Sequence, residues 1–417
     1  MGRRREDGFL GMMPADVKRM AERLAGYMTR FAAVFGRREQ REHAQAYLGG
    51  RLMKLERRTI EPIADKWDVP SRPLQRFVGS GPWRDEPLRK VLRGEVRRDL
   101  GHRDAALVVD NSAVQKWGKD SVGVKRQWCG RLGKVENCQV GYYVAYASPR
   151  GTSLIDAELY LPKDWVNDPV RRKKTHVPED VRYRKGWELG LTLVDRCRKD
   201  LPHGWVVADD EFGRVIGFRD RLEKWKERYL VDIPCNTRVR RKSGQEIRAD
   251  VLAQRTPRRC WRRVLVRDGE KGPIEVLVYA ERVTPVRERR QRHRERAETL
   301  VIVRELGTDE HRYGLSNARG VQPRKLARVA GMRHAVEEAF ATGKTDTGLH
   351  EYEVRSWWGW HHHVTLSMIG LHFLVAERVR AKRVAPAITA SLVGWGIGQC
   401  FELVLNRHDD PFAAIGH

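Results

Sequence analysis

Along the first hundred positions, apolar residues recur every three or four places. Met20, Leu24, Tyr27, Met28, Phe31 and Phe35 do so between Val17 and Phe35, which predicts an amphipathic helix. A second helix is expected from Ala46 to about Arg57. Thr59 to Val78 then holds two short amphipathic pieces joined at Asp68-Val-Pro-Ser71. That pattern suits a helix-turn-helix and an ordinary helical hairpin equally well.

From Ala105 the period changes. Ala106-Leu-Val-Val109 is a short apolar run of strand type that ends on Asp110. Cys138 to Ala147 and Ser153 to Leu161 read as further strands. Trp187 to Cys197 reads as a helix. Trp205-Val-Val-Ala208 is another strand, ending on Asp209, and a helix from Arg214 to Trp225 leads to the strand Tyr229-Leu-Val-Asp-Ile233. Strands alternating with helices predict an α/β layer fold.

Residues 236 to about 310 break the rhythm. They contain strand-like runs at Arg263–Val266, Ile274–Tyr279 and Thr299–Arg304, and a basic loop with six arginines from Val286 to Arg296. Helix returns from Met332, and His361 to about Arg380 is a long apolar-rich helix. One more apolar helical candidate, Ile388 to Leu405, lies in the tail. The expected parts are therefore a helical domain (1–100), the two parts of an α/β core (101–235 and 311–380), a β-rich insertion (236–310) and a tail (381–417).

Charge narrows the partner. The 417 residues include 81 Lys and Arg against 55 Asp and Glu, a net charge of +26. Such a surplus draws a polyanion, and neutralised phosphates release condensed counterions, so nucleic acid is the expected partner. The six cysteines include no C-x-x-C pair, which argues against a zinc knuckle. They are too sparse for a disulfide scaffold, and a reducing cytoplasm is expected. No run of 18 apolar residues is present, so no membrane partner is expected.

Three acids carry the candidate chemistry. Asp110 and Asp209 each follow an apolar strand, where an open sheet collects functional groups, and such a pair can share hard cations. Taken singly, each also fits a turn or a helix N-cap. At 100° per residue, Glu337 lies about 40° and Lys344 about 20° from Arg333, so the three share one helical face. A carboxylate between two cations suits a metal ligand flanked by phosphate contacts. It also suits a surface ion pair worth a few tenths of a kcal/mol. Gly343 weakens the helix ahead of Lys344. Val336 and Phe340 supply an apolar stripe for docking. His361-His-His363 diverge around a helix, and a polar helix start or DNA-facing patch is expected there rather than a metal site.

Several segments together resemble bacterial insertion-sequence transposases of the DDE superfamily, closest to the family called seven-zero-one. They are Val109-Asp-Asn-Ser112 with Lys116 and Gly118, Ser121 to Gly130, Gly133 to Val140, Leu159 to Trp165, Asp209-Asp-Glu-Phe-Gly213 and Tyr352 to Trp357. The resemblance spans roughly residues 50 to 375. It implies a ribonuclease-H-like mixed sheet with flanking helices, and a catalytic triad of Asp110, Asp209 and Glu337. Arg333, Glu337 and Lys344 match the Arg, Glu and Lys of the family's helix signature, while Ala330 stands at its Tyr position. Asn111 stands where relatives often have a second Asp. Asp210 and Glu338 are rivals that the family's spacing disfavours.

The resemblance further implies two Mg²⁺ (or Mn²⁺) ions about 3.5–4 Å apart on the triad. It implies a homodimer that cuts terminal inverted repeats and joins them to target DNA, at the nucleoid. Arg333, Lys344, Lys116 and Lys134 are expected to contact phosphates. Trp261, in the insertion, is a candidate for stacking on a base, with core packing as its competing role. The alternatives are a non-catalytic DNA-binding protein derived from a transposase and another ribonuclease-H-like nuclease such as a junction resolvase.

Overall fold

The computed structural model of the chain describes residues 14–269, 272–286 and 295–381, together with 396 and 398. The basic loop, apart from its ends, and nearly all of the tail lie outside the described residues. So does the helical candidate 388–405, apart from residues 396 and 398.

Five helices lead: α1 (Pro14–Ala32), α2 (Arg38–Leu52), α3 (Ile60–Lys66), α4 (Ser71–Ser80) and α5 (Asp85–Leu100). The second helix starts eight residues earlier than its pattern predicted, because polar Arg38–His43 still extends it. The link between α3 and α4 falls where it was expected, with Asp68 in the left-handed region at φ 50°. Leu74, Phe77 and Val78 of α4 face inward, and Arg72, Gln75 and Arg76 face solvent.

The core sheet follows. β1 (Ala106–Gln115), β2 (Lys125–Cys129), β3 (Lys134–Ser148) and β4 (Gly151–Leu159) are joined by antiparallel pairs, β3 lying against each of the others. After α6 (Gly186–Cys197), β5 (Trp205–Ala208) runs parallel to β1. Two short helices, α7 (Asp210–Gly213) and α8 (Ile216–Lys224), lead to β6 (Tyr229–Asp232), parallel to β5. The order β4-β3-β1-β5-β6, with β1 to β4 antiparallel and the last two strands parallel, is the ribonuclease-H-like arrangement. β5 is buried at every residue, as its unbroken apolar run requires of a strand covered on both faces.

The inserted segment is β-rich, as read. It comprises β7 (Arg238–Arg241), β8 (Glu246–Arg248), α9 (Ala249–Arg255), β9 (Arg262–Gly269), β10 (Gly272–Pro285), β11 (Glu298–Glu305) and β12 (His311–Ser316). β12 pairs antiparallel with β6, so these strands continue the core sheet. They also enclose a separate small core that includes Val239, Leu252, Ile302 and Leu315.

Three helices close the described chain: α10 (Pro323–Gly331), α11 (His334–Asp346) and α12 (Trp357–Ala381). Every residue of α12 from Gly359 to Glu377 is buried. The helix packs on β4 and on α2, α4 and α5, so the leading helices share one hydrophobic core with the sheet. Arg89 and Arg93 of α5 reach the buried Asp156 on β4, which adds a charged tie.

The burial of α12 corrects the expectation for the three histidines. They form neither a polar helix start nor a DNA-facing patch. His361 faces Trp357 O and Glu158. His362 stacks on Trp83 at 3.6 Å, its ring nitrogens 2.9 Å from the carbonyls of Val78 and Trp83. His363 meets the Tyr47 hydroxyl at 2.9 Å and Leu349 O at 3.0 Å. Successive residues 100° apart can each pin a different neighbour when a helix is surrounded on all sides.

Candidate active site

The parallel ladder between β1 and β5 ends at Val109 paired with Ala208. The next residues are Asp110 and Asp209, so the register sets the two carboxylates side by side at the open end of the ladder. The first strand does not stop at Asp110 as its apolar run suggested. It runs on to Gln115 along β3, with Asp110 opposite Tyr143.

After Ala208 the chain turns into α7. Asp209 caps that helix, its Oδ1 accepting from Glu211 N at 3.0 Å. Capping and adjacency to Asp110 thus coexist in one side chain. Asp210 turns away and pairs with Arg214. Gly213 closes the turn where nothing larger fits, since a Cβ there would lie 1.8 Å from Asp232 O. This close approach lets α7 press against the end of β6.

Asp110 is fixed by its own strand, Oδ1 accepting from Asn111 N at 2.7 Å. The Asn111 amide donates to Glu211 Oε2 at 2.7 Å, and the Tyr142 hydroxyl donates to Glu211 Oε1 at 2.6 Å. An aspartate at 111 would face Glu211 as a like charge, whereas the asparagine bonds to it. Glu211 therefore belongs to the site, although the sequence signal passed over it in favour of Asp209.

Helix α11 covers this end. Phe340 docks edge-on against Tyr143, centroids 5.1 Å apart, and Val336 is fully buried. Tyr143 is the cross-strand partner of Asp110, so the residue one turn before Phe340 comes to the same place. That residue position is held by Glu337 and its neighbours. Glu337 Oε1 meets Arg333 Nη2 at 2.9 Å, and Oε2 meets His334 Nδ1 at 3.2 Å. Gly343 does not break the helix, which continues to Asp346; Leu349 and Leu371 pack against it.

Arg333 lies among the acids. Its Nη1 is 3.9 Å from Asp110 Oδ2 and its Nε 3.3 Å from Asp232 Oδ2, besides the contact with Glu337. Asp232 was missed in the sequence, although it too ends an apolar strand. Burial raises the carboxyl of Asp232, opposed by Arg312 and Arg333.

Burial pushes Asp110 up to about 6; its Asn111 hydrogen bond and Arg333 oppose the rise, and Glu337 and Glu211 add to it. Burial and then the charge of Asp110 push Asp209 up to about 7. Glu337 is lowered, first by its hydrogen bond from His334 and then, against burial, by Arg333.

The remaining expected residues spread out. Lys344 shares the site's side of α11, its ammonium lowered by burial and by Arg131. Lys116 points inward, donating to Tyr352 O at 2.9 Å and lying 3.5 Å from the centre of that ring. Lys134 is exposed at the start of β3, with Glu136 at 3.4 Å. Trp261 packs in the insertion against Tyr279 and His311, its Nε1 donating to Thr256 O at 3.3 Å.

Among the described residues, no three Asp, Glu, His or Cys side chains converge as a ready-made metal cage. The donor chemistry nevertheless fits a hard cation. The donors are all oxygen, and the charge of Asp110 adds to burial in holding back the ionisation of Asp209, which a divalent ion would relieve. Arg333 supplies positive charge to the same cluster.

A family profile described as "DDE superfamily endonuclease" matches residues 30–298, a span that includes Asp110 and Asp209 and ends ahead of Glu337. The chain is also similar to a "Probable transposase for insertion sequence element IS701" of Microchaete diplosiphon, at 25% identity over 190 residues. That similarity covers 45% of this chain and spans about half, 47%, of the relative. With the profile covering more than half of the chain, and a ribonuclease-H-like sheet setting Asp110 beside Asp209, the chain belongs to the DDE superfamily of endonucleases.

Proposed function

We propose that the chain is a DNA transposase that cuts at terminal inverted repeats and joins the freed ends to target DNA. The observation that carries this reading is the register of β1 and β5, which sets Asp110 beside Asp209 under the helix bearing Glu337. The net charge of +26 supports a polyanionic substrate.

Endonucleases of this superfamily use divalent metal ions. Asp110, Asp209 and Glu337 would hold two ions of Mg²⁺ or Mn²⁺. When bound, the metal supplies Lewis-acid stabilisation to the attacking and leaving oxygens. The chain's own groups do the rest. Asn111 and Glu211 keep the β1 and α7 ends in register. Arg333 exchanges its carboxylate partners for phosphate, to which its planar fork can bind in bidentate fashion. Lys344 faces the same end of the fold. The pair α3 and α4, with Arg72, Gln75 and Arg76 outward, serves as the helix-turn-helix that reads the repeats. Two protomers act together, one at each end of the element.

The test is cleavage of DNA carrying the element's own ends, with Mg²⁺. Asp110→Ala, Asp209→Ala and Glu337→Ala should each lower the rate by about 100-fold or more while DNA binding persists. A variant that cuts at the wild-type rate removes its residue from the triad. Nicking by none of the proteins, including wild type in Mn²⁺, with binding that survives EDTA, would instead identify a non-catalytic DNA-binding protein.

A further inference from the structure

Glu337 is the loosely held member of the proposed triad. Its side chain is 48% exposed, against 14% for Asp110. Two contacts keep it from turning out to solvent, Arg333 Nη2 on Oε1 and His334 Nδ1 on Oε2. The first does not last through the proposed reaction, because Arg333 leaves its carboxylates for phosphate. His334 is then what holds Glu337.

The imidazole is itself held from the far side. Arg312 of β12 brings its Nη1 to 2.7 Å from His334 Nε2, and its Nη2 donates to Ala330 O, near the end of α10, at 3.3 Å. A guanidinium carries donors and no acceptor. At 2.7 Å its N–H must meet a lone pair, so Nε2 accepts and the ring's proton sits on Nδ1. Nδ1–H is the group that faces Glu337 Oε2. The other tautomer would set a nitrogen lone pair against the carboxylate. Of the influences that hold the Glu337 carboxyl below its usual value, the hydrogen bond from His334 is the largest.

The arginine comes from the inserted segment. β12 is the strand that joins this segment to the core sheet, with Gly314 opposite Asp232 of β6. Arg312 lies two residues from Gly314, on the same face of the strand. Asp232 meets Arg333 Nε at 3.3 Å, and Arg312 meets His334. Consecutive residues at the head of α11 are thus each fixed by one of two paired strands, and each in turn contacts Glu337.

We propose that Arg312 is a positioning residue, which fixes the tautomer of His334 and through it holds the Glu337 carboxylate in place. The proposal rests on the reading of Glu337 as a metal ligand. It gives the inserted β-strands a part in ordering the acidic cluster. Partners that orient a ligand in this way are worth about 10- to 100-fold in metal affinity.

The experiment uses the full chain and reads Mn²⁺ binding by electron paramagnetic resonance, and the histidine tautomers by ¹⁵N nuclear magnetic resonance. Arg312→Met keeps the length of the side chain and removes its donors. It should weaken Mn²⁺ binding by about 10- to 100-fold. His334→Asn puts an amide donor where Nδ1–H stands, so it should keep most of the wild-type affinity. Arg312→Met added to His334→Asn should then change little. The His334 signals, assigned by their absence from His334→Asn, should show the proton on Nδ1 in wild type and on Nε2 in Arg312→Met. Unchanged melting temperatures should verify the fold. Should Arg312→Met unfold, the wild-type spectrum decides, since a proton on Nε2 overturns the proposal. A loss of Mn²⁺ affinity that is as large in the His334→Asn background means that Arg312 acts by its charge alone, and also overturns it. Either result leaves Glu337 standing as a ligand. Mn²⁺ binding that is unchanged in Glu337→Ala overturns that reading and the proposal with it.

Discussion

Asp209 shows how much one side chain can combine. It caps a helix, faces Asp110 across the end of a parallel ladder, and is buried enough to be pushed up to about 7. Two such carboxylates destabilise the fold unless positive charge reaches them. Millimolar Mg²⁺ should therefore raise the melting temperature of the wild type. Saturation at a hundred times the dissociation constant contributes roughly 2.7 kcal/mol. Asp209→Asn should lose most of that rise, and an equal rise in both proteins would refute the assignment. His362 gives a second residue-scale prediction. Burial holds it near 4, outweighing the two carbonyls and Asp85, while His361 acts in the same direction as burial. Its unfolded value is about 6.5. The unfolded chain thus binds the proton first, and stability contributed by neutral His362 is lost as pH falls from about 6.5 through 4. Urea unfolding should show a shallower loss over that window in His362→Gln than in wild type. Equal slopes would mean that the ring is not held neutral.

At the scale of elements, the site is a meeting of ends. Helix α7 presses on β6 because Gly213 has no Cβ, and helix α11 sits over β1 because Phe340 docks on Tyr143. Gly213→Val should force α7 away from Asp232. We expect a loss of about 1–3 kcal/mol in stability, as for other overpacked positions. Cleavage should fall much further than this loss of stability alone would produce, because Asp209 moves with the helix. Chemical denaturation together with the cleavage rate measures both, and a stable variant with full activity would show that the contact does not position Asp209.

At the scale of the molecule, the leading helices are locked to the half of the chain that carries the acidic cluster. Arg51 of α2 is fully buried, and its guanidinium donates to Thr347 O, Glu351 O and Gly348 O just beyond α11, and to Arg58 O. Arg51→Met would strand those carbonyls. At about 1–3 kcal/mol for each group left unsatisfied, a loss of several kcal/mol is expected. Limited proteolysis should then release the leading helices at lower denaturant than in wild type. Cleavage patterns and unfolding midpoints that match wild type would show that other contacts carry the link.

The chain's local pattern determined a good deal. The strand runs at 106–109, 205–208 and 229–233, the helices at 187–197 and 214–225, and the β-rich character of the insertion could all be read, because alternation, helical spacing and unbroken apolar runs are local properties of a chain. The face shared by Arg333, Glu337 and Lys344 was legible for the same reason. Tertiary structure alone decided the rest. Polar, unperiodic Lys125–Cys129 became a strand only by pairing with β3. Asp232 and Glu211 joined the site through the register of β6 and the turn of α7. Trp117 and Trp128, large and apolar, were left outside, while three polar histidines went inside. Burial is settled by which surfaces meet, and that depends on pairing between segments far apart along the chain.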